Sequence, residues 1–192
     1  LGVTTSQLAL RTPNLQSVAM RLEVKPGVRG LTLIDDAYNA DLTSLDIALD
    51  FLHRRKEAHH KSVLVLSDFQ QTGMPAAELY QRVATLIASR PVDIVIGIGH
   101  EVKRLQGLLD CRMECFDNTD AFLASSCLAS LSDAVVLLKG AREFAFERIA
   151  DELQLKVHET TLEINLSALA DNVRFYRSHL QPGVKLTCMI KA

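Results

Sequence analysis

"LTLIDDAYNAD", residues 31–41, decides the fold. An apolar run over 31–34 breaks off into two adjacent aspartates, then Tyr38, Asn39 and a third acid, Asp41. A short apolar run of this kind reads as a strand buried on both faces. Adjacent carboxylates repel each other unless a cation, hydroxyl groups or backbone N–H groups satisfy them. Charge at the mouth of a buried strand adds little to fold stability and points to something bound there.

Outward from this stretch, short apolar runs alternate with longer segments of helical period. The predicted strands are 31–34, 62–66, 93–98, 112–116 and 134–138. Between them, 43–55, 74–89, 100–109, 118–131 and 142–153 carry apolar residues at i, i+3, i+4 spacing, as in Leu45, Ala48, Leu49 and Leu52. Thr43 or Ser44 is expected to cap the first helix, Pro75 to sit in the first turn of the second, and Asn118 to cap the fourth. Apolar strands spaced by single helices indicate a parallel sheet covered on both sides. The expectation is a doubly wound, mostly parallel α/β domain over residues 21–160.

Composition narrows the function. The chain has 192 residues, 48% hydrophobic, with 9 Gly and 5 Pro, enough for one good core and unlike a disordered chain. A net charge of −2 offers no basic field for nucleic acid or anionic lipid. No apolar run reaches the ~20 residues of a membrane span, and no signal-peptide pattern opens the chain. Cys111, Cys115, Cys127 and Cys188 have no metal-ligand spacing and read as reduced thiols of a cytoplasmic protein. The chain begins without Met and ends in "MIKA", which reads as a piece of something longer.

Ligands of such sheets sit beyond the carboxyl ends of the strands. Asp35, Asp36, Tyr38 and Asn39 follow the first predicted strand, and Ser67 and Asp68 the second. Gly97, Gly99 and His100 follow the third, and Lys139, Gly140 and Arg142 the last. A receiver-type signalling domain also uses an acidic pair, a lone Asp and a Lys in such places. Its phosphoacceptor follows the third strand, however, whereas Asp68 follows the second. "GIGHE" (97–101) lacks the third glycine of a dinucleotide fingerprint. His53, His59 and His60 read as a solvated helix end, and His100 as a residue bordering the site.

"RLEVKPGVRGLTLIDDAYNADLTSLDIAL" (21–49) resembles the opening of the C-terminal, Rossmann-like domain of the Mur ligases, most closely the MurF type. That pattern is an Arg-x-Glu strand, a spacer, then Asp-Asp-Ser-Tyr-Asn-Ala-Asn-Pro and a Ser opening a helix. Arg21, Glu23, Asp35, Asp36, Tyr38, Asn39, Ala40 and Ser44 match it. "VLVLSDFQQTG" (63–73) is similar to the family's Leu-Gly-Asp-Met-x-Glu-Leu-Gly loop, and "LLKGAR" (137–142) to its Lys-Gly-Ser-Arg. Asp41 and Leu42 replace Asn-Pro, Ser67 a Gly, Gln71 an acid, and Ala141 a Ser.

The resemblance implies a ligase that activates a carboxylate with ATP and Mg2+ as an acyl phosphate, then lets an amine attack it. The partners it implies are UDP-N-acetylmuramoyl tripeptide and D-alanyl-D-alanine. Arg21 would reach the ATP phosphates, Asp36 hold the ribose hydroxyls, and Tyr38 and Asn39 line the nucleotide site. Asp35 would tie down the loop, and Lys139 and Arg142 would either meet the dipeptide carboxylate or simply cap sheet and helix. No G-x-x-x-x-G-K-[ST] loop occurs, so the phosphate cradle and most of the Mg2+ contacts are expected upstream. Residues 1–20 then read as the end of a preceding ATPase domain with its linker.

"TLEINLSALADNVRFYRSHLQPGVKLTCMIKA" (161–192) resembles the first βα unit of the barrel of bacterial alanine racemases. In that family the lysine ending this unit, here Lys191, forms the Schiff base with pyridoxal phosphate. The whole therefore resembles a ligase fused to a racemase. This chain alone is expected to be inactive in both reactions.

Overall fold

Every predicted strand forms, and one more precedes them. In the computed structural model the described residues are 21–56, 60–70, 73–155 and 164–187. The strands are β1 (Glu23–Pro26), β2 (Thr32–Asp36), β3 (Lys61–Ser67), β4 (Ile94–Ile98), β5 (Arg112–Phe116) and β6 (Ala134–Lys139). They make one sheet in the order β1-β2-β6-β3-β4-β5. β1 runs antiparallel to β2, and the remaining neighbours are parallel.

The central strands face two cores because alternate residues point to opposite sides of a pleated sheet. Ile34, Leu64, Leu66, Val135 and Leu137 pack on one side, against α1 (Leu42–Arg55) and α2 (Ala76–Ser89). Leu33, Val63, Val65, Val136 and Leu138 pack on the other. There they meet Phe122 of α3 (Thr119–Leu123), and Ile149 and Leu153 of α5 (Glu147–Leu153). Between α3 and α5 in the chain lies the short α4 (Ser126–Ser130). Wholly apolar strands are what such two-sided cover requires.

The predicted helices shorten where single residues interrupt them. Segment 100–109 keeps only a 3-10 turn, Val102–Leu105, with Gly107 at φ 81 closing it. Segment 118–131 splits in two because the Ser125 hydroxyl starts a second helix by accepting from the Leu128 N–H at 3.4 Å. Segment 142–153 is broken by Ala145, which is left-handed at φ 48. Asn118 caps α3 as expected, accepting from the Ala121 N–H at 2.8 Å. The cap of α1 is Asp41, neither Thr43 nor Ser44. The helix starts one residue earlier than the periodicity implies, so the Asp41 carboxylate meets the Ser44 N–H at 2.8 Å.

The chain divides into two compact units, Leu1–Leu155 and Lys156–Ala192. The second contains α6 (Leu166–Ser178), capped by Asn165. None of its described helical residues is buried, and Leu166, Leu169, Phe175 and Tyr176 are exposed. The racemase-like strand entering this unit, and Lys191, lie outside the described residues, as do residues 1–20, Gln71 and Cys188. Cys111, Cys115 and Cys127 are free thiols. Among the described residues no helix is long and apolar enough to cross a membrane.

Candidate functional site

The chain runs from β2 over α1 to β3, and β6 returns last to lie between those two strands. The carboxyl ends of β2, β6 and β3 therefore converge at a topological switch point, where open α/β sheets bind ligands. Register does the rest. Asp36 lies beside Lys139, and Leu66 of β3 lies beside Lys139 on its other side.

The pleat eases the repulsion in "IDDA" by sending adjacent carboxylates to opposite faces of β2, although the Asp35 charge still helps raise the Asp36 carboxyl. Asp35 is taken by the Lys25 ammonium at 3.0 Å, which also meets Glu23 at 3.1 Å. Burial opposes the charge on Lys25, and those two carboxylates outweigh it, so its pKa is raised. The second Asp35 oxygen, Oδ1, is buried with no hydrogen-bond partner among the described residues. Asp35 thus ties β1 to β2, not the loop it was expected to hold, because its side of the pleat faces Lys25.

Asp36 faces α1 and accepts from the Lys139 ammonium at 2.6 Å. Burial pushes the Asp36 carboxyl above its ordinary range, against the hydrogen bonds from Lys139 and from the Leu22 backbone N–H. Leu22 is left-handed at φ 49, and its N–H bond to Asp36 fixes the backbone beside Arg21. Lys139 is 1% exposed. Sequence order groups Lys139 with Arg142 as contacts for one ligand carboxylate, whereas in the structure they line different clefts. Parallel register commits the lysine to Asp36, whereas Arg142 emerges beyond Gly140 on an exposed 3-10 turn.

That turn is held closely. The Ser67 hydroxyl accepts from the Ala141 N–H at 2.8 Å and donates to the Asp68 carbonyl at 2.9 Å, joining the ends of β3 and β6. A Cβ on Gly140 would lie 2.6 Å from the Phe146 ring, so glycine is required there. Asp68 itself accepts from the His100 N–H at 3.0 Å and the Val102 N–H at 2.7 Å. Its carboxylate anchors the loop after β4 and is not presented as a phosphoacceptor, which removes the receiver reading. His100 is exposed.

Asp41, to which the sequence reading gave no role, organises the loop. Besides capping α1, it receives the Ser44 hydroxyl at 2.7 Å and the Asn39 amide at 3.0 Å. Burial raises its carboxyl and the Ser44 bonds, with the Lys139 charge, more than offset this, so it lies below its ordinary range. The preference for Asp at N-caps was the available signal.

Two clefts open at this edge. The smaller, about 320 Å³, is lined by Arg21, Asp36, Tyr38, Asn39, Asp41 and Lys139, among others. The larger, about 670 Å³, runs along Tyr38, Asn39, Asp41, Gln70, Arg142 and Glu143, with Gln70 hydrogen-bonded to Glu143. Tyr38 is half-exposed, with the Arg21 guanidinium carbon 4.9 Å and the Arg142 carbon 5.8 Å from its ring centroid. Among the described residues no three or more His, Cys, Asp or Glu side chains are arranged to hold a metal ion.

A six-stranded, mostly parallel sheet with charged clefts at its switch point defines an open, doubly wound α/β domain. The family described as "Mur ligase, glutamate ligase domain" matches residues 20–142, and the chain belongs to it. A UDP-N-acetylmuramoyl-tripeptide–D-alanyl-D-alanine ligase of Bacillus subtilis is 31% identical over 98 residues, covering 51% of this chain and 21% of that protein. Its namesake in Escherichia coli is 24% identical over 155 residues, covering 80% and 34%. The chain thus spans between a fifth and about a third of these relatives.

Solved structures share the fold. A MurF from Acinetobacter baumannii superposes with a TM-score of 0.64 at 21% identity, covering 79% of this chain and 33% of that one. The Thermotoga maritima MurF ligase, in complex with ADP, gives 0.60 at 18% identity, covering 76% and 35%.

Proposed function

We propose that this chain belongs to an ATP-dependent ligase that adds D-alanyl-D-alanine to UDP-N-acetylmuramoyl tripeptide in peptidoglycan synthesis. In that reaction the terminal phosphoryl group of ATP passes to the tripeptide carboxylate, giving an acyl phosphate and ADP. The dipeptide amine then attacks the carbonyl carbon, the carbon–oxygen bond to phosphate breaks, and the amine proton is lost. ATP and a nucleotide-linked substrate place this work in the cytoplasm.

The observation that carries the reading is the division of charge between the two clefts. Asp41 already occupies the N-terminus of α1, so that end is closed to phosphate. The smaller cleft instead offers Asp36 and the Asn39 amide, acceptors suited to a pair of sugar hydroxyls, with Arg21 at its rim for phosphate oxygens. The larger cleft offers the Arg142 guanidinium, suited to bidentate recognition of a carboxylate. Lys139 then acts from beneath, holding Asp36 in its charged, oriented form. Mg2+ would arrive with the triphosphate and screen its charge, its main ligands lying upstream of residue 20.

The Lys156–Ala192 unit, in this reading, opens a pyridoxal phosphate-dependent alanine racemase, with Lys191 as the residue that holds the cofactor. Its support is the resemblance of the sequence, together with a helix whose Leu166, Leu169 and Tyr176 are exposed among the described residues.

The test is phosphate release from ATP by the parent protein, given tripeptide with and without D-alanyl-D-alanine. The expected outcome is dipeptide-dependent release that falls at least tenfold in Arg21→Ala and in Asp36→Asn, about the worth of one charged contact in a reaction centre. Release that ignores the dipeptide in the wild type would remove the ligase reading. Racemisation of L-alanine by the same protein, abolished in Lys191→Ala, is the corresponding result for the second unit.

A further inference from the structure

Tyr38, Asn39 and Asp41 line both clefts, and of these only Tyr38 presents a ring. Asn39 and Asp41 are bound to each other and to the start of α1. The Tyr38 ring is instead occupied by cations. Both the Arg21 and the Arg142 guanidinium carbons lie within the roughly 6 Å over which a ring face attracts a cation. Among the described residues neither guanidinium has a carboxylate within ion-pair distance, so the ring is the group that orients them.

We infer that Tyr38 is a positioning residue that anchors both Arg21 and Arg142, fixing the two ligand-binding arginines against a single ring. This rests on the ligase reading above, and it adds a link between the two clefts. An arginine side chain free in solvent loses rotamer freedom when it grips an oxyanion, and prior stacking removes part of that loss. A shared ring also limits the spacing of the guanidiniums to no more than the sum of their two distances from it. In a reaction where an acyl phosphate and an attacking amine must meet, that spacing sets how the two substrates approach.

The side chain is 43% exposed, so its replacement leaves the cores of the domain intact. In the parent protein, Tyr38→Leu is expected to raise the KM values for ATP and for D-alanyl-D-alanine together, each about two- to fivefold, with a smaller change in kcat. Tyr38→Phe keeps the ring and is expected to recover most of both. A structural role alone would not separate Phe from Leu in this way. A rise in only one KM, or equal behaviour of Phe and Leu, overturns the shared anchor.

A second readout needs no substrate. In the NMR spectrum of the 192-residue chain, the Nε–Hε signals of Arg21 and Arg142 are expected to carry ring-current shifts. Both should be lost in Tyr38→Leu and kept in Tyr38→Phe. An unmoved signal for either arginine in Tyr38→Leu overturns the anchor. Failure of the ligase reading shows separately, as absence of dipeptide-dependent phosphate release by the wild type, and the NMR result still decides the role of Tyr38.

Discussion

Lys139 is a cation inside a protein core, and its hydrogen-bonded counterion is Asp36 at 2.6 Å. A buried ion pair adds little net stability, because desolvation of both charges offsets their attraction, yet removal of one partner leaves the other charged and unpaired. Asp36→Ala is therefore expected to destabilise the domain by about 3–5 kcal/mol, and Asp36→Leu/Lys139→Met by much less. Urea denaturation midpoints of the three proteins check this, and equal losses in the single and double variants would contradict it. The same pair shows what a residue pattern can and cannot reveal. Two adjacent acids after a strand announce a site. Their division of labour, Asp35 bracing β1 and Asp36 facing the cleft, follows from pleat and register. Asp41 was legible in principle as an N-cap, but the apolar spacing of α1 suggests a start one residue later.

At the scale of elements, the joint between β3 and β4 depends on Asp93, just before β4. Its carboxylate accepts from the Ser62 N–H at 2.7 Å, the Ser62 hydroxyl at 2.8 Å and the Lys56 ammonium at 2.8 Å. Burial would raise this carboxyl, and the bonds from Lys56 and Ser62 outweigh it, lowering the pKa to about 2 from 3.8. A folded pKa below the unfolded one means stability that is fully present above 3.8 and lost as pH falls through about 2. Asp93→Asn should flatten the stability-against-pH curve in that window and leave its shape above pH 5 unchanged. Urea titrations at successive pH values measure the slope, and an unaltered slope would show that Asp93 does not carry it. The long elements α1, α2 and all five predicted strands were legible because their periodicity is sustained. The segments 100–109, 118–131 and 142–153 each read as a single helix from spacing alone, and none forms one. There Gly107, Ser125 and Ala145 redirect the backbone against an apolar spacing that by itself looks continuous.

At the scale of the whole molecule, the two units differ in how they bury apolar surface. The first encloses its sheet between two cores. In the second, α6 has 13 residues, none of them buried, and isolated helices shorter than about 12–15 residues are marginal in water. Amides of α6 are expected to exchange with solvent at least a hundredfold faster than those of β3 and β6, as measured by hydrogen–deuterium exchange with mass spectrometry. Protection of α6 equal to that of the central strands would show that its apolar side is covered.

Apolar periodicity and polar punctuation by themselves determined that the first unit is a doubly wound α/β domain, and that its polar and charged side chains gather in the segments following the strands. Local sequence can do this because strand and helix periods are short-range properties of the chain. The order of the strands was decided only in three dimensions. The return of β6 between β2 and β3 brings Lys139 against Asp36, 103 residues earlier, and sets Arg142 over Tyr38. No local pattern encodes those pairings, because they arise from how the helices on both faces and the hydrogen-bond register of neighbouring strands satisfy one another at once.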